Sequence, residues 1–260
     1  MGFLEDIVAS TNRRIDEAKA KVTEEALEQR LSSRPVPRDL AGALQADDVS
    51  VIAEIKRATP AKGVLDLTLD AGKTAAAYAE GGAAAISVLT EPDLFKGSLE
   101  DLERATTVGL PVLRKDFIVD PYQLLEARAS GADAVLLIVR ILDHPSLGSL
   151  LRLTRSLGME ALVEVHTDEE MDRALDVGAN VIGVNHRDLD SFEVDPDRTK
   201  KLAPLVPAGV VLVALSGVST RREVEELGAA GARAVLVGES LVTSSDPVVK
   251  LRELLGHVAP

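Results

Sequence analysis

From residue 49 onward, short apolar runs alternate with stretches in which apolar and polar residues recur at helical spacing. The runs are Val49–Lys56, Ala83–Leu89, Pro111–Lys115, Ala134–Val139, Ala161–His166, Val181–Asn185, Val210–Ser216 and Ala234–Gly238. They are rich in Val, Ile, Leu and Ala and too short for buried helices, so each predicts a strand covered on both faces. The intervening stretches, such as Asp70–Glu80, Pro121–Ser130, Asp168–Val177 and Arg221–Ala229, predict amphipathic helices. Several end at a Gly that leads straight into the next run: EGGAAAISVL, SGADAVLLIV, VGANVIGV and AGARAVLVG. A Gly past a helix end supplies the left-handed residue that reverses the chain. Repetition of helix–Gly–Ala–strand describes a series of βα units.

Eight such units predict an α/β chain that closes as a (β/α)8, or TIM, barrel, with the whole of residues 1–260 as one domain. The rival is an open, doubly wound sheet. That fold usually places a Gly-rich fingerprint after its first strand, whereas KRATPAKG follows here. Residues 1–48 predict a helical N-terminal extension packed on the barrel. MGFLEDIVASTNRRIDEAKAK has amphipathic periodicity, and SSRPVPRDL (Ser32 to Leu40) breaks the helix before the barrel begins.

Composition narrows the chemistry. The chain has no Cys, which excludes disulfides, thiolate metal sites and Cys nucleophiles. A net charge of −13 argues against binding nucleic acid through a broad basic surface. No apolar run approaches the ~20 residues of a membrane span. The N-terminal stretch lacks the apolar segment of a signal peptide. A soluble, cytoplasmic protein is expected, a monomer or weak homo-oligomer, with no nucleic-acid or membrane partner.

Charged residues occur where a barrel core belongs. Residues two apart on a strand share a face, so Glu54 and Lys56 point together while Ile55 points away. Charges inside a barrel are costly unless they lie near an open end. The third strand ends in Lys115, the fifth carries Glu164 near its end, and the sixth ends in Asn185 followed by Arg187. Two Lys, two Glu, an Asn and an Arg therefore converge on one mouth, supplying general acids, general bases and anchors for an anion. Each alone reads equally well as a rim charge or structural ion pair. The seventh and eighth strands end differently, in LSGVS and VGESL. Gly217 and Gly238 would let a phosphate approach backbone N–H groups, the usual place for phosphate in such barrels. The plain alternative is that both are turn residues. A small phosphorylated substrate is the expected partner, with no metal.

Other positions carry weaker signals. His166 shares a face with Glu164 and reads as a hydrogen-bonded rim residue. His144 and His257 read as surface residues, and Asp116 as a structural residue facing away from the mouth. Glu91, Asp93 and Glu100 read as parts of a solvated loop and helix start. Phe95 and Phe117 both follow strands in an aromatic-poor chain, where they could border an aromatic ring or merely pack.

Taken in order, IAEIKRATP, SVLTEPDLFKGSLEDL, PVLRKDFIVDPYQLLEARASGADAVLLI, ALVEVHTDEE, VIGVNHRDL, SGV and VLVGESL resemble the indole-3-glycerol phosphate synthase family of tryptophan biosynthesis. The likeness runs from about residue 50 to residue 247, and the helical extension fits it. The resemblance implies a carbon–carbon lyase. It closes an indole ring on 1-(2-carboxyphenylamino)-1-deoxyribulose 5-phosphate, loses carbon dioxide and water, and uses no cofactor. Carried over position by position, it implies that Lys115 is the general acid at the ribulose carbonyl and Glu164 assists proton transfer. Lys56 would meet the anthranilate carboxylate or donate a proton in dehydration, and Glu54 would be the general base. Asn185 and Arg187 would orient the substrate, Phe95 and Phe117 would border the aromatic pocket, and Leu215 and Ser216 would lie against the substrate. Thr59, Gly217, Gly238 and the backbone of Glu239 would surround the phosphate.

Two positions depart from the family pattern. Thr59 stands where Ser is usual, which keeps the hydroxyl. Leu215 stands where the pattern has glutamate, so one pocket carboxylate is missing. This leaves open a paralogue or altered barrel with a changed substrate, weak activity, or ligand binding with little turnover. A phosphoribosylanthranilate isomerase would be expected to use an Asp and Cys pair, and the chain has no Cys. A Schiff-base aldolase needs one Lys in an apolar pocket, which the two glutamates oppose.

Overall fold

The structure, a computed structural model, describes residues 3–257. Eight parallel strands form a closed barrel: β1 (Ser50–Ile55), β2 (Ala85–Leu89), β3 (Val112–Lys115), β4 (Ala134–Ile138), β5 (Glu160–Val165), β6 (Val181–Asn185), β7 (Val211–Leu215) and β8 (Ala234–Val237). Closure is made by β1, which pairs with β2 at Ile52↔Ala85 and with β8 at Ser50↔Ala234. The open-sheet alternative is thereby removed.

Side-chain alternation sorts the apolar residues into two clusters. One fills the barrel interior with Ile52, Ala85, Leu113, Leu136, Leu162, Val213 and Leu236 among others. The other lies between strands and helices, and takes the residues in between, such as Val51, Ala53, Val112, Leu137, Val163 and Val235. Dispersion and removal of apolar surface from water drive both layers.

The barrel helices follow the predicted stretches closely: α4 (Ala71–Gly81), α6 (Pro121–Ala129), α8 (Asp168–Asp176) and α10 (Arg221–Ala229). Side-chain caps begin them, and Asp120 and Thr220 form reciprocal capping boxes with Gln123 and Glu223. Gly82 ends α4 at φ 97°, a conformation that a side chain would strain. The remaining helices are α5 (Leu99–Ala105), α7 (His144–Ser156), α9 (Arg198–Leu202), α11 (Glu239–Val242) and α12 (Pro247–Leu255).

The extension contains three helices, α1 (Phe3–Lys21), α2 (Glu24–Leu31) and α3 (Leu40–Ala43). Ile15 and Leu27 pack with Tyr122, Leu125 and Ala129 of α6, and Lys19 pairs with Asp120 at 2.9 Å. Near the amino ends of the strands, Leu40 and Leu44 are fully buried and join the barrel-interior cluster. Arg38 pairs there with Asp133, just before β4, at 3.0 Å. The extension thus reaches both ends of the barrel, because α1 begins at the opposite mouth, where Phe3 and Leu4 line the cavity.

The loop after β1 contains a short hairpin. Ala58–Thr59 and Gly63–Val64 pair antiparallel, with Gly63 turning at φ 72°. This hairpin holds Thr59 beside the mouth.

Candidate active site

A cavity of about 290 Å³ opens at the carboxyl ends of the strands. Its walls take Glu54 and Lys56 from the end of β1, Lys115 from β3, Asn185 and Arg187 from β6, Leu215 to Gly217 after β7, and Gly238 and Glu239 after β8. Residues far apart in sequence meet here because closure of the barrel brings every strand end to one rim.

The charges are organised as two lysine–carboxylate pairs. Lys56 Nζ lies 2.6 Å from Glu54 Oε2. Lys115 Nζ lies 3.7 Å from Glu164 Oε2. Glu164 does not line the open cavity; it is fully buried behind Lys115 and accepts a hydrogen bond from Asn185 Nδ2 at 2.9 Å. Asn185 Oδ1 in turn accepts from the Arg187 backbone N–H at 3.1 Å. Each pair combines a proton donor with a group that stabilises its charged form, in a site shielded from water.

Two aromatic rings also line the cavity. The Phe95 and Phe117 rings sit 6.4 Å apart, tilted by 42°. The loop holding Phe95 corrects the reading of Glu91 as a solvated residue: Glu91 is only 2% exposed. Its carboxylate accepts from the backbone N–H groups of Asp93, Leu94 and Phe95, at 2.9, 2.6 and 3.0 Å. A carboxylate can be buried when it satisfies several N–H donors at once, and here it fixes the turn that presents Phe95. Gly97 completes the turn; a Cβ there would lie 2.0 Å from the Leu89 carbonyl oxygen.

The cavity lining also includes Thr59, Gly217, Ser219, Gly238, Glu239 and Ser240. Gly217 has φ 78° and follows Ser216, itself at φ 69°, so two successive left-handed residues turn the chain after β7. A Cβ on Gly238 would lie 2.4 Å from Glu54 Oε2 and 2.9 Å from Lys56 Nζ. Gly238 therefore makes room for that ion pair as well as exposing backbone. The Glu239 carboxylate does not enter the cavity unaccompanied; it pairs with Lys62 of the hairpin loop.

Several lining residues escaped the sequence reading. Phe3 of α1 meets Phe192 edge-on, ring centroids 4.8 Å apart, and both line the cavity with Leu189. Phe192 sits at φ 61°, and Arg187 Nη1 donates to its carbonyl at 2.9 Å. The only sequence signal was the scarcity of Phe. His186 is buried beneath the same region: Nε2 lies 2.7 Å from Thr199 Oγ1, and the backbone N–H donates to Leu215 O. Burial pushes its pKa below the ordinary value, against a backbone hydrogen bond with Ser216. Asp116 does face away from the mouth, in an ion pair with Arg114 at 2.9 Å. His144 is a surface residue paired with Asp176.

A closed eight-stranded barrel with an acid–base cluster at its carboxyl rim defines a (β/α)8-barrel protein built for chemistry. Solved structures with this fold include a thiamine phosphate pyrophosphorylase from Pyrococcus furiosus (TM-score 0.61, 16% identity, 83% of this chain and 96% of that one). Another is 3-hexulose-6-phosphate synthase from Salmonella typhimurium (TM-score 0.63, 15% identity, 81% of this chain and 100% of that one). At such identities the likeness is one of fold alone.

Sequence comparison is more specific. The family model for indole-3-glycerol phosphate synthase matches residues 4–254. Curated relatives of that name are 50% identical in Mycolicibacterium vanbaalenii, covering 97% of this chain and 93% of that protein. The Roseiflexus sp. relative is 47% identical, covering 98% of each. The chain belongs to the indole-3-glycerol phosphate synthase family.

Proposed function

We propose that this barrel converts 1-(2-carboxyphenylamino)-1-deoxyribulose 5-phosphate to indole-3-glycerol phosphate, a decarboxylating ring closure followed by loss of water. Family membership supports the reaction. The observation that carries the assignment to this cavity is the pair of lysine–glutamate couples whose lysines share one cavity with two phenylalanine rings.

Lys115 protonates the ribulose carbonyl oxygen as the aromatic ring carbon attacks, so that no alkoxide has to form in a dry site. Glu164, behind it, stabilises the cation that follows and accepts a proton. Carbon dioxide loss restores the aromatic ring. Lys56 holds the departing carboxylate or protonates the leaving hydroxyl, and Glu54 acts as base in the same couple. Asn185 and Arg187 orient the substrate, Phe95 and Phe117 clasp its ring, and Leu215 and Ser216 lie against it. Thr59, Gly217, Gly238 and the Glu239 backbone receive the phosphate of the small phosphorylated substrate, whose class is supported by family membership. The chemistry proceeds without a cofactor in this reading. Among the described residues no helix is long and apolar enough to cross a membrane. Biosynthesis of this kind fits a cytoplasmic protein, with no nucleic-acid partner, acting as a monomer or weak homo-oligomer. Light scattering at working concentration measures that state.

The test is direct. Purified protein mixed with the carboxyphenylamino substrate should generate indole fluorescence in proportion to enzyme. Tight substrate binding without fluorescence would instead favour a binding protein, the reading that Leu215 left open.

A further inference from the structure

His166 follows β5 two residues after Glu164, and its side chain is wholly enclosed. Its two ring nitrogens face two different carboxylates. Nδ1 lies 3.2 Å from Glu170 Oε2, an oxygen that also accepts the His166 backbone N–H at 2.7 Å. Nε2 lies 3.7 Å from Glu164 Oε1. Glu170, on α8, is held by Arg140 at 3.0 Å, and Arg140 also pairs with Asp188 in the loop after β6 at 3.0 Å. Burial raises the Glu170 carboxyl, but hydrogen bonds from His166 and Arg140 outweigh it and keep the group below the ordinary carboxylate range. Glu170 is therefore ionised and only accepts, so the hydrogen of a neutral imidazole resides on Nδ1. The Nε2 lone pair then points at the Glu164 carboxylate.

Two acceptors facing each other in a buried place lack a proton. Consistently, Nε2 of His166 is buried without any hydrogen-bond partner. The oxygen that faces it, Glu164 Oε1, accepts only from Asn185 Nδ2, and Glu164 Oε2 is turned to Lys115. One proton placed between the residues removes the conflict in either of two ways. A protonated Glu164 donates O–H to Nε2, or Nε2–H donates to an ionised Glu164. The second form is an imidazolium flanked by two carboxylates. The charged groups around the ring are thus Glu164 on β5, Glu170 on α8, Arg140 and Asp188 beyond Glu170, and Lys115 beyond Glu164.

We propose that His166 is a positioning residue that acts through Glu164, holding the proton which Glu164 collects during turnover until Lys115 is recharged. The proposal rests on the reading of Glu164 and Lys115 given above. In balanced form, Glu164 takes a proton from the substrate, breaking the bond to hydrogen and leaving its electron pair with the substrate. The Glu164 O–H bond then breaks as Nε2–H forms, restoring the carboxylate. After Lys115 has given its proton to the carbonyl oxygen, reverse transfer to Glu164 and onward to neutral Lys115 Nζ returns both residues to their starting states. No external reagent is needed. A purely structural His166 would require only Nδ1, to fix the start of α8.

His166→Asn separates the two roles, because its amide N–H can replace Nδ1–H towards Glu170 while Nε2 is deleted. The steady-state pH profiles of kcat and KM are measured for the parent, His166→Asn, His166→Gln, Glu164→Gln and the His166→Asn/Glu164→Gln double variant, with melting curves for each. The proposal expects both His166 variants to lose kcat by roughly 10²-fold with KM little changed. It also expects an altered kcat pH profile and a double variant no slower than Glu164→Gln alone. A folded His166→Asn with the parental kcat and profile overturns it, as does a double variant slower than Glu164→Gln. Parental turnover in Glu164→Gln would overturn the underlying reading and the proposal together. A crippled Glu164→Gln beside a parental His166→Asn removes only the role of His166. Nitrogen NMR of the imidazole in the free enzyme gives an activity-independent check. Nδ1–H is expected for the neutral ring, and an Nε2–H tautomer overturns the proposal.

Discussion

Lys115 leaves β3 between two residues that turn the other way, Arg114 and Asp116, which pair with each other outside the barrel. That alternation aims one ammonium into the cavity and keeps it against Glu164. Lys115→Ala should reduce turnover by ~10²–10⁴, the usual loss for a general acid. The melting temperature should fall somewhat, because Glu164 stays buried without its ammonium partner. Turnover equal to the parent would remove Lys115 from the mechanism. Leu215 stands where the sequence resemblance implies a glutamate. It is buried, and its side chain leans with that of Leu162 over Gly183, where a Cβ would lie 2.8 Å from Leu215 Cδ1. Leu215→Glu puts a carboxylate into a cavity already holding two lysines. One new charge-assisted hydrogen bond is worth about 1.5–3 kcal/mol, so kcat/KM should rise roughly tenfold if it acts only in the transition state. Some stability should be lost with the apolar contact. A Glu variant that is slower as well as less stable would show that Leu215 is fitted to a different, more apolar ligand.

The turn between β7 and α10 shows how an element is held for function by another element. Ser216 and Gly217 take left-handed conformations, and His186 from the end of β6 supports them from below. Because burial lowers the His186 pKa, the unfolded chain binds the proton more readily than the folded one. Stability from this residue is therefore complete above the ordinary value of about 6.5 and is lost as pH falls below it. The melting temperature should rise with pH up to that region and then level off. His186→Gln should flatten the slope; an unchanged slope would assign it to other groups. After β8 a different constraint acts. Gly238→Val would drive a side chain into Glu54 and Lys56, so it should lower kcat as well as raise KM. A pure KM effect would mean that Gly238 serves the phosphate alone.

Across the whole molecule the charge is −13, and at the rim Lys56 and Lys115 are each paired with a glutamate. An anionic substrate is therefore not drawn in by a long-range positive field and has to be held by short-range contacts with ammonium, guanidinium and backbone N–H groups. Inorganic phosphate should act as a weak competitive inhibitor and raise the melting temperature as its concentration passes its Kd, the folded state gaining about 2.7 kcal/mol at a hundredfold excess over Kd. If high phosphate leaves KM and melting unchanged, the Gly217–Gly238 side of the cavity does not bind it. The N-terminal helices belong to the same balance: α2 packs on α6, α3 closes in at the amino ends, and α1 brings Phe3 to the mouth.

Periodicity alone determined the eight strands, the helices between them and the faces of Glu54, Lys56, Lys115, Glu164 and Asn185, because a two-residue repeat fixes which side chains point together. Closure of the barrel then follows from the number of units. What periodicity cannot carry is contact across loops. Glu91 looked solvated, yet three N–H groups of one turn make its burial favourable. Phe192 reaches the cavity only through a left-handed residue in an irregular loop, and Phe3 only because α1 docks beside that loop. Strand alternation put His166 on the same face as Glu164, but only the tertiary structure decides that its two ring nitrogens meet different carboxylates, Glu170 and Glu164. Side-chain partners in loops depend on where several independently folded segments meet, and no local pattern along the chain encodes that meeting point.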